Sequence, residues 1–95
     1  MYLGIDVGTS SVKALLVDDA QRIVSEASAP LSVERPHPLW SEQSPEAWWK
    51  ATLEAVDALR GAARAAFSAV RAVGLSGQMH GATLLDADLR VLRPA

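Results

Sequence analysis

The sequence contains no cysteine. That excludes a disulfide framework and any thiolate metal site, and it fits a reducing compartment. No basic segment followed by a long apolar run opens the chain, so Met1–Lys13 is not read as a secretory signal. No apolar stretch approaches the roughly 20 residues needed to cross a bilayer as a helix. Charge of one sign is not concentrated anywhere. The formal net charge is -2, with acidic and basic residues interspersed, so nothing points to nucleic acid or an anionic membrane surface. The sequence also lacks a G-x-x-x-x-G-K-[ST] phosphate loop and a G-x-G-x-x-G dinucleotide fingerprint. What remains is a 95-residue chain, 49% apolar and 21% charged, with the balance of a folded, soluble, cytoplasmic protein of at most one domain.

Hydrophobic patterning divides the chain. Tyr2–Val7 alternates, with Leu3, Ile5 and Val7 on one side and Tyr2, Gly4 and Asp6 on the other. Gly8–Ser11 is a turn-forming break, Val12–Val17 a more continuously apolar strand suited to the middle of a sheet, and Arg22–Ala27 a third strand. The first 28 residues therefore read as a three-stranded antiparallel meander. Pro30, Pro36 and Pro38 suggest an extended surface connection over residues 28–44, with Trp40 pinning it to the core. Ser44 reads as a helix N-cap, followed by Pro45 and Glu46 in the first turn. Trp49, Leu53, Val56 and Leu59 or Arg60 form the expected buried stripe, flanked by Trp48, Thr52 and Ala55. Gly61 marks a weak point or end, and residues 62–67 a short second helix. Val70–Ser76 is expected as a fourth strand, and residues 82–86 and 90–92 as a second hairpin. Ala14–Asp18 with Arg22–Val24 echoes Ala82–Asp86 with Arg90–Leu92. A shared strand–turn–strand pattern, with an Asp opening the turn, explains this better than duplication.

Two segments carry candidate chemistry. In Asp6-Val7-Gly8-Thr9-Ser10-Ser11-Val12-Lys13 a carboxylate closes an apolar strand, where it needs a partner such as a hydrated cation. Gly8 is expected to turn the chain through positive φ. The following N–H groups and the hydroxyls of Thr9, Ser10 and Ser11 can converge on an anion, and Lys13 adds positive charge. These are the parts that phosphoryl transfer requires. A hairpin with a merely polar turn would use the same residue types. The second segment is Gly74-Leu75-Ser76-Gly77-Gln78-Met79-His80-Gly81. Gln78 and His80 offer mixed donors and acceptors suited to a polyol, and Met79 offers an adaptable apolar contact. No second ligand stands at metal spacing from His80, so zinc is not expected. His37, between two prolines, is read as structural.

Taken together and in this order, the two segments resemble the FGGY family of carbohydrate kinases, and the first alone resembles the phosphate hairpin of the wider actin-like ATPase superfamily. Gly4–Ser10, Arg35-Pro36-His37-Pro38-Leu39-Trp40-Ser41-Glu42-Gln43 and Gly77–Gly81 sharpen the resemblance to the branch that phosphorylates xylulose. The resemblance implies an α/β fold: a partial actin-like (ribonuclease H-like) domain, with the meander followed by helix, strand and second hairpin. It implies that residues 1–95 are the N-terminal part of the first kinase lobe, cut short at Ala95, and inactive without the remainder. The implied chemistry is ATP-dependent phosphorylation of D-xylulose to xylulose 5-phosphate. Asp6 would help to position Mg²⁺ through water; Gly8, Thr9, Ser10 and Lys13 would face the ATP phosphates; Met79 and His80, with Gln78 beside them, would contact the sugar. The base aspartate of the family would lie beyond this chain, and neither Asp86 nor Asp88, both in an expected turn, replaces it. The partners implied are D-xylulose and ATP, and the intact protein has room for a homodimer. Another FGGY substrate (ribulose, gluconate or glycerol) and an inert or partner-binding remnant are the alternatives.

Overall fold

The computed structural model describes all 95 residues. Its elements are β1 (Tyr2–Val7), β2 (Ser11–Val17), β3 (Ile23–Pro30), α1 (Pro45–Ala62), α2 (Arg64–Ser68) and β4 (Ala72–Gly77). The sheet order is β3-β2-β1-β4. β2 pairs antiparallel with both β1 and β3, as the meander requires, while β1 and β4 are parallel. A parallel partner needs a crossover, and residues 31–71, with both helices, supply it. The consequence is directional. β1 and β4 run the same way, so the turn after Val7 and the loop after Gly77 emerge at one end of the sheet.

The core lies between one sheet face and α1. It comprises Leu3, Val12, Ala14, Leu16, Ala29, Ala51, Ala55 and Leu59. Register places Leu3 opposite Leu16, and Ile5 opposite Ala14, on that face. Alanines at 14, 29, 51 and 55 leave little bulk between helix and sheet. The fully buried Leu16 and Leu59 supply most of the apolar payload, about 1.5–3 kcal/mol each by transfer.

The helix buries a different stripe from the one its large side chains suggest. Ala51, Ala55 and Leu59, four residues apart, face the sheet. Trp49 is 64% exposed and Leu53 47% exposed, and Val56 lies only at the core margin. The reason is spacing: a sheet face already carrying leucine and valine leaves room for alanine at the closest approach. Ser44 does stand at the N-cap with extended backbone, but its hydroxyl makes no capping bond. Pro45 opens the helix, which continues through Gly61 to Ala62.

Four further expectations change. β3 extends to Pro30, at the sheet edge where a missing N–H costs nothing. The connection after it is pinched rather than extended: Glu34 and Glu42 exchange backbone hydrogen bonds of 2.8 Å in both directions, closing a loop over residues 35–41. Trp40 is 46% exposed within that loop and does not reach the core; it meets the His37 ring edge-on at 4.6 Å and carries the Arg93 guanidinium 6.0 Å above it. The second hairpin shrinks to a turn and one bridge, Leu85 to Val91.

The internal echo is a matter of turn chemistry. Asp18 Oδ1 accepts from the backbone N–H groups of Ala20 and Arg22, each at 2.9 Å. Asp86 Oδ1 accepts from those of Asp88 and Arg90, at 2.8 and 2.9 Å. Gln21 and Leu89 hold the equivalent left-handed position, with φ of 62° and 63°. The backbone hydrogen bond from Arg22 N–H, opposed by desolvation and joined by that from Ala20 N–H and by the Arg22 guanidinium, holds the Asp18 carboxyl below the usual aspartate range.

Candidate active site

The parallel pairing of β1 and β4 brings both chemistry-bearing segments together. Gln78 N–H donates to the Val7 carbonyl at 2.9 Å, continuing the ladder past the end of β4. The Thr9 hydroxyl donates to Gln78 Oε1 at 2.6 Å. Residues 69 positions apart in sequence are therefore in direct contact.

The turn over residues 8–11 has its polar groups sorted by direction. Gly8 N–H donates to the Ser11 carbonyl at 3.0 Å, Leu31 N–H to the Ser10 carbonyl at 2.8 Å, and Gln43 Nε2 to the Thr9 carbonyl at 2.7 Å. All three carbonyls are occupied by the fold, whereas the N–H groups of Thr9 and Ser10 donate to no other backbone group. Carbonyls held inward and amides left free suit an anion. Gly8 is not in the left-handed region, contrary to expectation, because no glycine of the chain has positive φ. Its function here is space: a Cβ at this position would stand 3.0 Å from the Ser11 carbonyl oxygen.

Asp6 and Lys13 are paired across β1 and β2, on the sheet face opposite α1. Asp6 is exposed rather than buried at the strand end, so solvent relieves the need for a compensating partner; Ser76, directly across on β4, donates its hydroxyl to Asp6 Oδ1 at 2.6 Å. Oδ2 accepts no hydrogen bond from the chain, and no ion pair joins Asp6 to Lys13. No cluster of three or more His, Cys, Asp or Glu side chains is present. One free carboxylate oxygen beside a lysine therefore fits a cation that keeps most of its waters and shares phosphate oxygens, which is the habit of Mg²⁺. It does not fit a caged metal.

Six of the site residues line two depressions that share no lining residue, while Gly8 and Ser10 line neither. The smaller, about 280 Å³, is lined by Asp6, Lys13, Leu15 and Ser76 among others. The larger, about 580 Å³, has Thr9, Gln78, Met79 and His80 on one side and Trp40 and Arg93 on another. Met79 is 81% exposed, and His80 has φ of 66°. A non-glycine residue there costs about 1–2 kcal/mol, and Gln21, Leu39 and Leu89 adopt the same backbone in turns and loops elsewhere in the chain. Gly81 is not crowded, since a Cβ on it would meet open space.

Two contributors were not legible as such. Gln43 is buried, 6% exposed, and bridges the turn and the loop. Ser76 supports Asp6. Gln43 belonged to a stretch that carried the family resemblance, but its sequence context gave it no role. Ser76 could have been found from the parallel register, had β4 been placed beside β1.

Comparison with known proteins identifies the family. The model of the FGGY family of carbohydrate kinases, N-terminal domain, matches residues 1–95. The xylulose kinase of Escherichia coli K12 is 55% identical over the whole chain, which covers 19% of that protein. A crystal structure of a xyloylose kinase from Brucella ovis superposes with a TM-score of 0.96 at 62% identity, over 98% of this chain and 20% of that one. The xylulose kinase of Rhodospirillum rubrum gives a TM-score of 0.92 at 32% identity, over 98% and 19% respectively. The chain thus spans about a fifth of the length of the relatives it matches. Its mixed sheet with helices is part of the actin-like ATPase fold found in those kinases. No helix is long and apolar enough to cross a membrane. Fold and sequence agree that the chain belongs to the FGGY family of carbohydrate kinases and matches its N-terminal domain.

Proposed function

We propose that these residues open a longer cytoplasmic kinase that transfers the terminal phosphoryl group of ATP to the 5-hydroxyl of D-xylulose, with Mg²⁺, giving xylulose 5-phosphate. The observation that carries this reading is the contact between the phosphate-type turn and the polyol-type loop, made through Thr9 and Gln78. The names of the most similar relatives support xylulose as acceptor.

In this reading Gly8, Thr9, Ser10 and Lys13 receive the phosphates. The free N–H groups of the turn supply directed dipoles, and Lys13 supplies charge, where negative charge develops. Asp6 would hold a hydrated Mg²⁺, which would supply neutralisation of phosphate charge when bound, with Ser76 fixing the carboxylate. Met79 and His80 meet the sugar from the loop, and Gln78 holds that loop against the turn. Residues 1–95 form the first part of the first of two lobes. The base that accepts the hydroxyl proton, and most of the adenine site, belong to the remainder. A homodimer is part of the same reading, and sedimentation of the full protein tests it.

The deciding experiment is ADP release by the full-length protein with D-xylulose, ribulose, gluconate and glycerol. The reading expects the highest kcat/KM with D-xylulose. A higher value with another acceptor moves the protein to a different branch of the family. No ATP-dependent turnover with any of them overturns the kinase assignment.

A further inference from the structure

Gln43 is the one polar residue buried in this chain. A primary amide can donate twice and accept twice, and burial is costly unless those capacities are met. Here all four are met. Nε2 donates to the Thr9 carbonyl at 2.7 Å and to the Ser32 carbonyl at 3.2 Å. Oε1 accepts from Trp48 Nε1 and from Gln78 Nε2, both at 3.0 Å. Gln78 in turn accepts the Thr9 hydroxyl through its own Oε1. The three residues form a closed ring, with Thr9 held at its carbonyl by one glutamine and at its hydroxyl by the other.

The ring has a direction. Two carbonyls require Gln43 to present its nitrogen to them, so its oxygen must face Gln78 and Trp48. Gln78 then presents its nitrogen to Gln43 and its oxygen to Thr9. One buried amide thereby sets the orientation of a side chain at the head of the 78–81 loop and of a residue in the phosphate-type turn.

We infer that Gln43 is a positioning residue for the transfer. Gln43 lines the larger depression, but its amide is wholly engaged by protein groups; it acts by fixing the turn and the loop in a common register, so that donor and acceptor are held at one distance. Trp48 orients Gln43 from α1, which ties this register to the helix. The inference rests on the proposed kinase chemistry, though not on xylulose as the acceptor.

The test uses full-length protein and compares Gln43→Met, Gln43→Glu and the core variant Leu59→Ala with wild type, on the acceptor that wild type prefers. Gln43→Met keeps the length and removes all four bonds. Gln43→Glu keeps the acceptor toward Gln78 and Trp48 but sets an oxygen against the Thr9 and Ser32 carbonyls. Since misplacement of about 1 Å can cost ~10²-fold, both variants are expected to lose ~10–100-fold in kcat/KM, with KM raised for ATP and acceptor alike. Leu59→Ala lowers Tm but should leave both KM values unchanged, which separates positioning from general stability. Wild-type KM values in either Gln43 variant, measured well below its Tm, would overturn the inference. Should neither variant fold, Trp48→Phe removes one donor to Gln43 and carries the test. One such bond corresponds to a rise of ~2–10-fold in both KM values, and no rise overturns the inference. Should wild type phosphorylate no acceptor, the kinase reading itself fails. The affinities of wild type and Gln43→Met for Mg·ATP are then compared by calorimetry: weaker binding by Gln43→Met supports positioning of the turn, and equal binding overturns it.

Discussion

The two faces of the sheet are built for different purposes. The face toward α1 buries Leu3, Val12, Ala14, Leu16 and Ala29 and contains no charged side chain. The opposite face of the same central strands carries Asp6 and Lys13, both exposed, and β4 adds Ser76 beside them. Because strand side chains alternate, β1 and β2 contribute to both faces at once. Stability and chemistry are thus assigned to alternate positions along the same strands, and a substitution at one parity should leave the other largely intact.

The strongest way to test that division is Leu16→Ala. Leu16 is fully buried, and truncation should cost about 2–5 kcal/mol, read by urea denaturation, while kcat of the intact enzyme changes little. A large kcat loss under fully folded conditions would break the division. Asp6→Ala is the converse. Loss of a group positioned at developing charge should lower kcat by about 10²–10³-fold, with a small change in the denaturation midpoint. Normal turnover would remove Asp6 from the site. Gly8→Ala tests the junction between the faces. Its Cβ would press on the Ser11 carbonyl, costing about 1–3 kcal/mol and raising KM for ATP. A neutral result would mean that the turn yields freely.

The smallest effect concerns Asp18, remote from both faces. Its folded pKa is depressed, so its contribution to stability is present above the unfolded aspartate value and is lost as pH falls through the lower, folded one. Titration of its carboxyl by NMR should give a midpoint below the ordinary aspartate value of about 3.9. A midpoint at or above that value would contradict the hydrogen bonds described.

Much of this arrangement was legible in the sequence because it is local. Alternation in Tyr2–Val7, the Gly8–Ser11 break and the Asp-led turns depend on a few neighbouring residues, and they stand where patterning put them. Pro45 announced the start of α1. The buried face of α1 differs from the one that side-chain size suggests, because close packing against the sheet selects alanine. The second hairpin falls short of its pattern for the opposite reason. Its turn forms as expected, but Leu84, Leu85 and Leu92 are 56%, 47% and 62% exposed, and strands need a surface to pack on as well as a turn to join them. Within the site, the phosphate-type turn and the sugar-type loop could each be found alone. That Gln43 joins them could not, because a buried glutamine resembles a solvated one until its partners are known.

The parallel register of β1 and β4 has a kinetic consequence. The meander closes over short loops, whereas Tyr2 meets Ala72 only after the chain between them has been gathered in. Contacts that span so much sequence carry a larger loop-closure entropy and tend to form late. The contact that brings Thr9 to Gln78 depends on this pairing, so the site should be assembled after most of the scaffold. In pulse-labelled hydrogen exchange of the refolding protein, amides of β2 and β3 should gain protection before that of Gln78. Simultaneous protection would mean that scaffold and site condense together. If the expected order holds, the protein passes through a state in which the fold is recognisable but the two halves of its chemistry have not yet met.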